Sequence, residues 1–184
     1  MYYMRRIMYF EEKTLEEEYL YKGKIFKLKK DVVVLPDGKR AIREVVEHGG
    51  GCAVLCVKDD EVFLVKQFRY PYREVVLELP AGKIDSGESP EQTARRELEE
   101  EGGITAGRLE KIFEIYPSPG YTSEKIYIFR AYDIGTGIAH TDEDEFLTGN
   151  WYKLKEIRQK IKRGEIKDSK TLVALLDYFG KTTE

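Results

Sequence analysis

An α/β fold carrying an extra N-terminal antiparallel β layer is what this sequence predicts, on three observations. From Thr14 to Glu47 apolar and charged residues alternate, the period-two pattern of strands with a polar outward face. The stretch GCAVLCVKDDEVFLVKQFRYPYREVVLELPAGK, which begins at Gly51, carries apolar runs that read as buried strands. Helical spacing dominates later: a capped segment opens at Ser89, and apolar residues recur at Leu154, Ile157 and Ile161 and again at Leu172, Leu175, Leu176 and Phe179.

The opening MYYMRRIMYFEEK has arginines but no apolar run of signal-peptide length, and no later stretch is long enough to span a bilayer, so a cytoplasmic protein is expected. Methionines at 1, 4 and 8 leave the start codon open. The segment 14–47 turns at Pro36-Asp37-Gly38, which predicts an antiparallel hairpin layer with one side covered. At 184 residues the chain suits one domain with a small appendage. A net charge of −3 argues against a nucleic-acid backbone as the main partner, because such proteins usually carry a basic footprint.

Two apolar strands joined around Asp59-Asp60 come next, then a third short strand from Val75 to Leu79. Cys52 and Cys56 share one side of the first of these, roughly 13 Å apart, too far to pair, and are expected to be buried thiols. Ser89-Pro90 with Gln92 is a helix start: a side-chain oxygen for the orphan N–H groups, proline at the first position, and the reciprocal partner. Gly102-Gly103 is the stop. Between them Glu97, Glu100 and Glu101 stand at i, i+3 and i+4, three carboxylates on one helix face. An acidic run is ordinarily a solvated face. Carboxylates this crowded also suit a hard divalent cation, Mg²⁺ or Mn²⁺.

The surrounding spacing decides between those readings. Gly82, five residues, Glu88, seven residues, then Arg96-Glu97-Leu98-Glu99-Glu100-Glu101-Gly102-Gly103-Ile104 resembles the Nudix hydrolase signature G-x5-E-x7-R-E-U-x-E-E-x-G-U, U being bulky and apolar, at every specified position. A chance match along this chain has odds of about one in 10⁶. The resemblance implies a Nudix α/β/α sandwich with a mixed sheet, residues 48–184, preceded by the β layer of 1–47. It implies that Glu97, Glu100 and Glu101 hold two or three Mg²⁺ ions, directly or through water, with Glu97 and Glu101 as principal ligands and the Ala81 carbonyl as another. Glu88 and Arg96 resemble the family's structural ion pair, and Gly82 and Gly103 its structural glycines.

The flanks resemble the ADP-ribose pyrophosphatase branch. QFRYPYREVVLELPAG is similar to the stretch before the box there, and Arg69 is expected to contact phosphate, since a guanidinium fork matches phosphate oxygens in geometry and charge. The plain alternative is a surface arginine at a strand end. Arg43 is a further substrate-binding candidate, reaching across a dimer interface. Pro119 falls fifteen residues after Ile104, and its SPG-x-TSE setting resembles the branch's tag, although turn chemistry alone also accounts for Pro117, Pro119 and Gly120. In the acidic loop HTDEDEFLTG, similar pyrophosphatases place a glutamate acting as base toward the attacking water and another metal ligand; by local match Glu143 is the base and Glu145 the ligand, an order left open. His140 as a general base is the minor alternative. The C-terminal helices are expected to pack on the core without chemistry.

The resemblance thus implies metal-dependent hydrolysis of a nucleoside diphosphate derivative, ADP-ribose to AMP and ribose 5-phosphate, in a homodimer built through the N-terminal layer. NADH, dinucleoside polyphosphates, nucleotide sugars or dNTPs are the alternative substrates. A binding module that senses ADP-ribose without cleaving it is the alternative of another class.

Overall fold

A computed structural model describes residues 10–140 and 146–182. The chain divides into two compact units: residues up to Gly49 with Ser118–Glu124, and Gly50–Pro117 with the remainder from Lys125.

The first unit is a three-stranded antiparallel sheet in the order β1 (Lys13–Lys22), β2 (Phe26–Val34), β3 (Arg40–His48). The hairpin expected at Pro36-Asp37-Gly38 joins β2 and β3, where Gly38 takes φ 85° and its N–H donates to the Leu35 carbonyl at 2.9 Å. A second reversal at Gly23, whose N–H donates to Phe26 O at 3.0 Å, makes the layer three strands rather than one hairpin. The segment 118–124 joins it through backbone bonds to β3: Val46 N–H to Tyr121 O at 2.8 Å and Ser123 N–H to Val46 O at 3.0 Å. All ten residues of β1 are exposed.

The second unit is built on a mixed sheet ordered β10-β5-β4-β9-β8, with β6 paired to β5 and β7 to β4. Its strands are β4 (Gly51–Lys58), β5 (Glu61–Arg69), β6 (Glu74–Glu78), β7 (Ala81–Lys83), β8 (Ile104–Ile115), β9 (Ile126–Thr136) and β10 (Leu147–Lys153). β4 and β9 run parallel and the other pairs antiparallel. Asp59 and Asp60, with φ 49° and 63°, form the two-residue β4–β5 turn; positive φ at both central positions matches the strand twist. The helices are α1 (Pro90–Gly102), α2 (Leu154–Lys162) and α3 (Ser169–Lys181).

Side chains leave the central strands on alternate faces, and both faces are buried, which is why these strands read as apolar runs. Cys52, Val54 and Cys56 on β4, Phe63 and Val65 on β5, and Phe129 and Ala131 on β9 pack with Ala94 and Leu98 of α1. The intervening Ala53, Leu55, Val62, Leu64, Ile126 and Ile128 pack with Leu154 and Ile157 of α2 and Ala174 and Leu175 of α3. The unit is therefore an α/β/α sandwich. Both cysteines are free and buried as expected, and burial pushes each thiol up to about 12.

Two expectations need correction. Leu176 is 55% exposed, because the buried stripe of α3 follows Thr171, Ala174 and Leu175 rather than every leucine. The end of the expected acidic loop, from Leu147, is a strand, since β10 pairs residue by residue with β5.

Candidate active site

The candidate site lies where β7 passes α1. Ser89 caps the helix by a reciprocal box: its side chain accepts from Gln92 N–H, and the Gln92 side chain accepts from Ser89 N–H at 2.8 Å. Gly103 ends the helix at φ 59°, its N–H donating to Glu99 O at 2.8 Å. The helix is thereby pinned at both ends, and three of its glutamates stand in fixed rotation about its axis.

Glu97 and Glu101, one turn apart, are only 8% and 6% exposed. Glu101 Oε2 accepts from Ala81 N–H at 2.9 Å. Glu97 lies against the Gly82 backbone so closely that a Cβ there would fall 1.9 Å from its Oε1. Glycine at 82 is therefore what leaves room for that carboxylate. Arg96 is the internal counter-charge. Its Nε and Nη2 each donate to Glu88 at 3.0 Å, Nη2 also reaches Lys83 O at 3.3 Å, and Nη1 donates to Glu97 Oε1 at 2.7 Å and Glu100 Oε2 at 2.9 Å. Thr93 Oγ1 donates to Glu88 Oε2 at 2.7 Å. The guanidinium and this hydroxyl hold the Glu88 carboxyl at about 2, well below its ordinary range.

Three carboxylates, Glu88, Glu97 and Glu100, thus meet one guanidinium, with Glu101 one turn on from Glu97, and the surplus is negative. Among the described residues no three acidic, cysteine or histidine side chains converge on a single ion-sized point, because Glu97 and Glu100 are turned to Arg96 and Glu101 to the Ala81 amide. The donor set nonetheless fits a hard divalent cation: all oxygen, two carboxylates mostly buried, and a glycine that leaves the approach open.

Arg69, at the end of β5, is clamped. Its Nε and Nη2 donate to Glu78 Oε1 and Oε2 at 2.6 and 2.7 Å, and 39% of its side chain stays exposed. Glu78, 1% exposed, also accepts from Lys170 Nζ at 2.6 Å, and these cations hold its pKa down against the effect of burial. Lys170 reaches Asp168 at 2.9 Å; Asp168 caps α3 through Thr171 N–H at 3.0 Å, and Thr171 Oγ1 accepts from Leu79 N–H at 2.9 Å. The sequence reading missed Glu78, Asp168, Lys170 and Thr171. The signals were a carboxylate inside the apolar VVLEL run and an aspartate three residues before a threonine at a helix start.

Arg43 and Pro119 belong to the first unit. Arg43 donates through Nε to Glu12 Oε2 at 2.8 Å, and Pro119 lies exposed in a turn. His140 donates its backbone N–H to Glu100 O at 3.0 Å, and its ring Nδ1 lies 2.9 Å from Ile138 O. Glu143 and Glu145 lie outside the described residues. Among the described residues no helix is long and apolar enough to cross a membrane.

Comparison with known proteins adds to this geometry. Residues 47–175 match the family described as NUDIX domain, and residues 12–46 the nucleoside diphosphate sugar hydrolase N-terminal domain. The chain is 42% identical over 168 residues to an ADP-ribose pyrophosphatase of Bacillus subtilis (strain 168), covering 90% of this chain and 91% of the relative. It is 39% identical to a methanol dehydrogenase activator of Bacillus methanolicus, with 90% and 91% covered. An ADP-ribose pyrophosphatase of Mycobacterium tuberculosis (strain ATCC 25618 / H37Rv) is 35% identical, with 92% and 84% covered. In fold, a crystal structure of an ADP compounds hydrolase superposes with a TM-score of 0.79 at 23% identity, covering 90% of this chain and 91% of that one.

Proposed function

The chain belongs to the NUDIX family of hydrolases, and from that premise we propose that it cleaves the diphosphate of ADP-ribose, giving AMP and ribose 5-phosphate. The observation that carries the chemistry is the buried Glu97–Glu101 pair against the β7 backbone, with a surplus of carboxylates over the one guanidinium among them. The substrate rests on relatives named ADP-ribose pyrophosphatase that align over most of both chains.

Divalent-metal dependence is general in this family. The residues that would hold the metal here are Glu97, Glu101, Glu100 and the Ala81 carbonyl, with Glu145 as a further ligand; two or three Mg²⁺ ions are the proposed cofactor and Mn²⁺ a substitute. When bound, such ions neutralise the diphosphate and make a water more acidic. The chain's own residues do the rest. Arg96 and Glu88 hold the helix against its loop, and Arg69 presents its exposed edge to a phosphate oxygen. Arg43 and Pro119 are assigned to the substrate, and Glu143, or Glu145 in the reverse order, accepts the proton of the attacking water. One P–O bond forms from that water as the anhydride P–O bond breaks.

We place the protein in the cytoplasm as a homodimer formed through an N-terminal β layer within residues 1–47, with 48–184 as its Nudix domain. Exposed Leu15, Leu20, Tyr21 and Ile42 on the strands of that layer support the dimer. A nucleotide sugar is the second substrate reading, favoured by the match of residues 12–46 to the sugar-hydrolase N-terminal domain and by 35% identity to a GDP-mannose pyrophosphatase of Yersinia pestis (strain Pestoides F).

The test is an Mg²⁺-dependent hydrolysis screen of ADP-ribose, nucleotide sugars, NADH, diadenosine polyphosphates and dNTPs. ADP-ribose is expected to lead in kcat/KM by at least about tenfold, or ~1.4 kcal/mol of transition-state binding. A nucleotide sugar in the lead supports the second reading. Absence of hydrolysis with every substrate and metal overturns both.

A further inference from the structure

We infer that Lys170, on the first turn of α3, is a positioning residue that sets how much of the Arg69 charge is offered to the substrate diphosphate. The inference rests on the proposed role of Arg69 as a phosphate contact. Three observations carry it.

The Glu78 carboxylate is 1% exposed and is shared by two cations: Arg69 on Oε1 and Oε2 at 2.6 and 2.7 Å, and Lys170 on Oε2 at 2.6 Å. Lys170 is itself only 9% exposed and is aimed by Asp168, whose Oδ1 accepts from Nζ at 2.9 Å. Arg69, by contrast, keeps 39% of its side chain exposed and has spent only Nε and Nη2 on Glu78.

A buried carboxylate must be compensated. With Lys170 in place, that compensation is divided, and part of the guanidinium charge remains for a ligand at its exposed edge. Without Lys170, Arg69 becomes the nearest counter-charge left to Glu78, so its fork is held harder and its field toward solvent is more fully cancelled. The same turn of α3 fixes the backbone on the way to β7: Thr171 Oγ1 accepts from Leu79 N–H at 2.9 Å, while Asp168 Oδ2 holds Thr171 N–H at 3.0 Å. The backbone next to Glu78 is thereby tied to α3, and Lys170 is the second cation that shares its carboxylate.

A lysine that only stabilised the fold would move the melting temperature and leave substrate binding alone. The experiment separates these roles with Lys170→Gln, Lys170→Arg, Arg69→Gln and the double variant Lys170→Gln/Arg69→Gln in the full chain, assayed on ADP-ribose with Mg²⁺. Calorimetric binding of inorganic pyrophosphate provides a readout without turnover. Lys170→Gln is expected to raise KM and the pyrophosphate Kd about five- to twentyfold with kcat within about twofold. Lys170→Arg should restore both to within about twofold, and Lys170→Gln should add nothing in the Arg69→Gln background.

Unchanged KM and Kd in Lys170→Gln, or an equal further loss in the Arg69→Gln background, overturns the inference. If Lys170→Gln does not fold, Asp168→Asn takes its place: it keeps an acceptor for the helix cap and loosens the lysine. The same KM-selective loss is expected, and its absence overturns the inference. Failure of the functional reading looks different. In that case Arg69→Gln itself leaves KM and Kd unchanged, whereas an Arg69→Gln defect without a Lys170→Gln defect refutes only the positioning role.

Discussion

Among single residues, the strongest test falls on Glu101. Its carboxylate is 6% exposed and accepts from Ala81 N–H, an acceptor role that a glutamine oxygen can keep. Glu101→Gln removes a charge from a crowded group without removing that hydrogen bond, so the melting temperature should hold within a few degrees. Turnover of ADP-ribose should fall at least about a hundredfold, or ~2.7 kcal/mol of barrier. Unchanged kcat would sink the ligand assignment. Gly82 gives a second test, because its Cβ would stand 1.9 Å from Glu97 Oε1. Gly82→Ala should therefore displace that carboxylate and raise the Mg²⁺ concentration needed for half-maximal rate by at least about tenfold. An unaltered Mg²⁺ titration would show that Glu97 has room to move at no cost. The box residues were legible because the signature specifies residue types at fixed spacing. Glu78 was not, because the lysine and threonine that meet its strand lie 92 positions away.

For the elements, α1 depends on a clamp outside its own hydrogen-bond ladder. Glu88, just before the cap, holds Arg96, on the second helical turn, through two bonds of 3.0 Å and receives Thr93 Oγ1 at 2.7 Å. Its carboxyl is depressed from an ordinary 4.5 to about 2. The unfolded chain therefore takes up this proton before the folded chain does. The clamp's contribution is fully present above about pH 4.5 and is lost as pH falls toward about 2. Glu88→Gln should cost about 1–3 kcal/mol at pH 7 and progressively less below pH 4, the two proteins' urea midpoints converging in acid. A difference that stays constant from pH 7 to pH 2.5 would refute the clamp's electrostatic character. Helix starts and stops were readable here because caps are local chemistry. β10 was not, because its seven residues are ordered by pairing with β5, a non-local contact that local propensity does not encode. The exposure of Leu176 has the same origin: spacing identifies a stripe, but the neighbouring elements choose which side of it is buried.

At the scale of the whole molecule, the N-terminal sheet poses the remaining question. Strand alternation announced the sheet, but the return of Ser118–Glu124 to it was hidden, since it is made by backbone bonds to Val46 that carry no side-chain signature. What the sheet leaves exposed bears on assembly. Leu15, Leu20, Tyr21 and Ile42 are 47–56% exposed, an apolar load that a solitary sheet of three strands does not need for its own core. A second copy of the chain is the proposed cover, and light scattering should give twice the chain mass at micromolar concentration. Leu15→Asp with Leu20→Asp tests it cleanly, because both side chains are about half exposed and lie on a strand whose every residue is exposed, so neither new carboxylate is buried in the single chain. The double variant should stay folded, shift to the single-chain mass and weaken dimerisation at least a hundredfold, ~2.7 kcal/mol. If the unaltered protein already runs at the single-chain mass across that range, the dimer is refuted and the apolar strand needs another partner. If the variant dissociates and ADP-ribose KM rises with it while the Mg²⁺ titration is unmoved, the first unit serves substrate binding through assembly, and the metal chemistry belongs to the α1 unit alone.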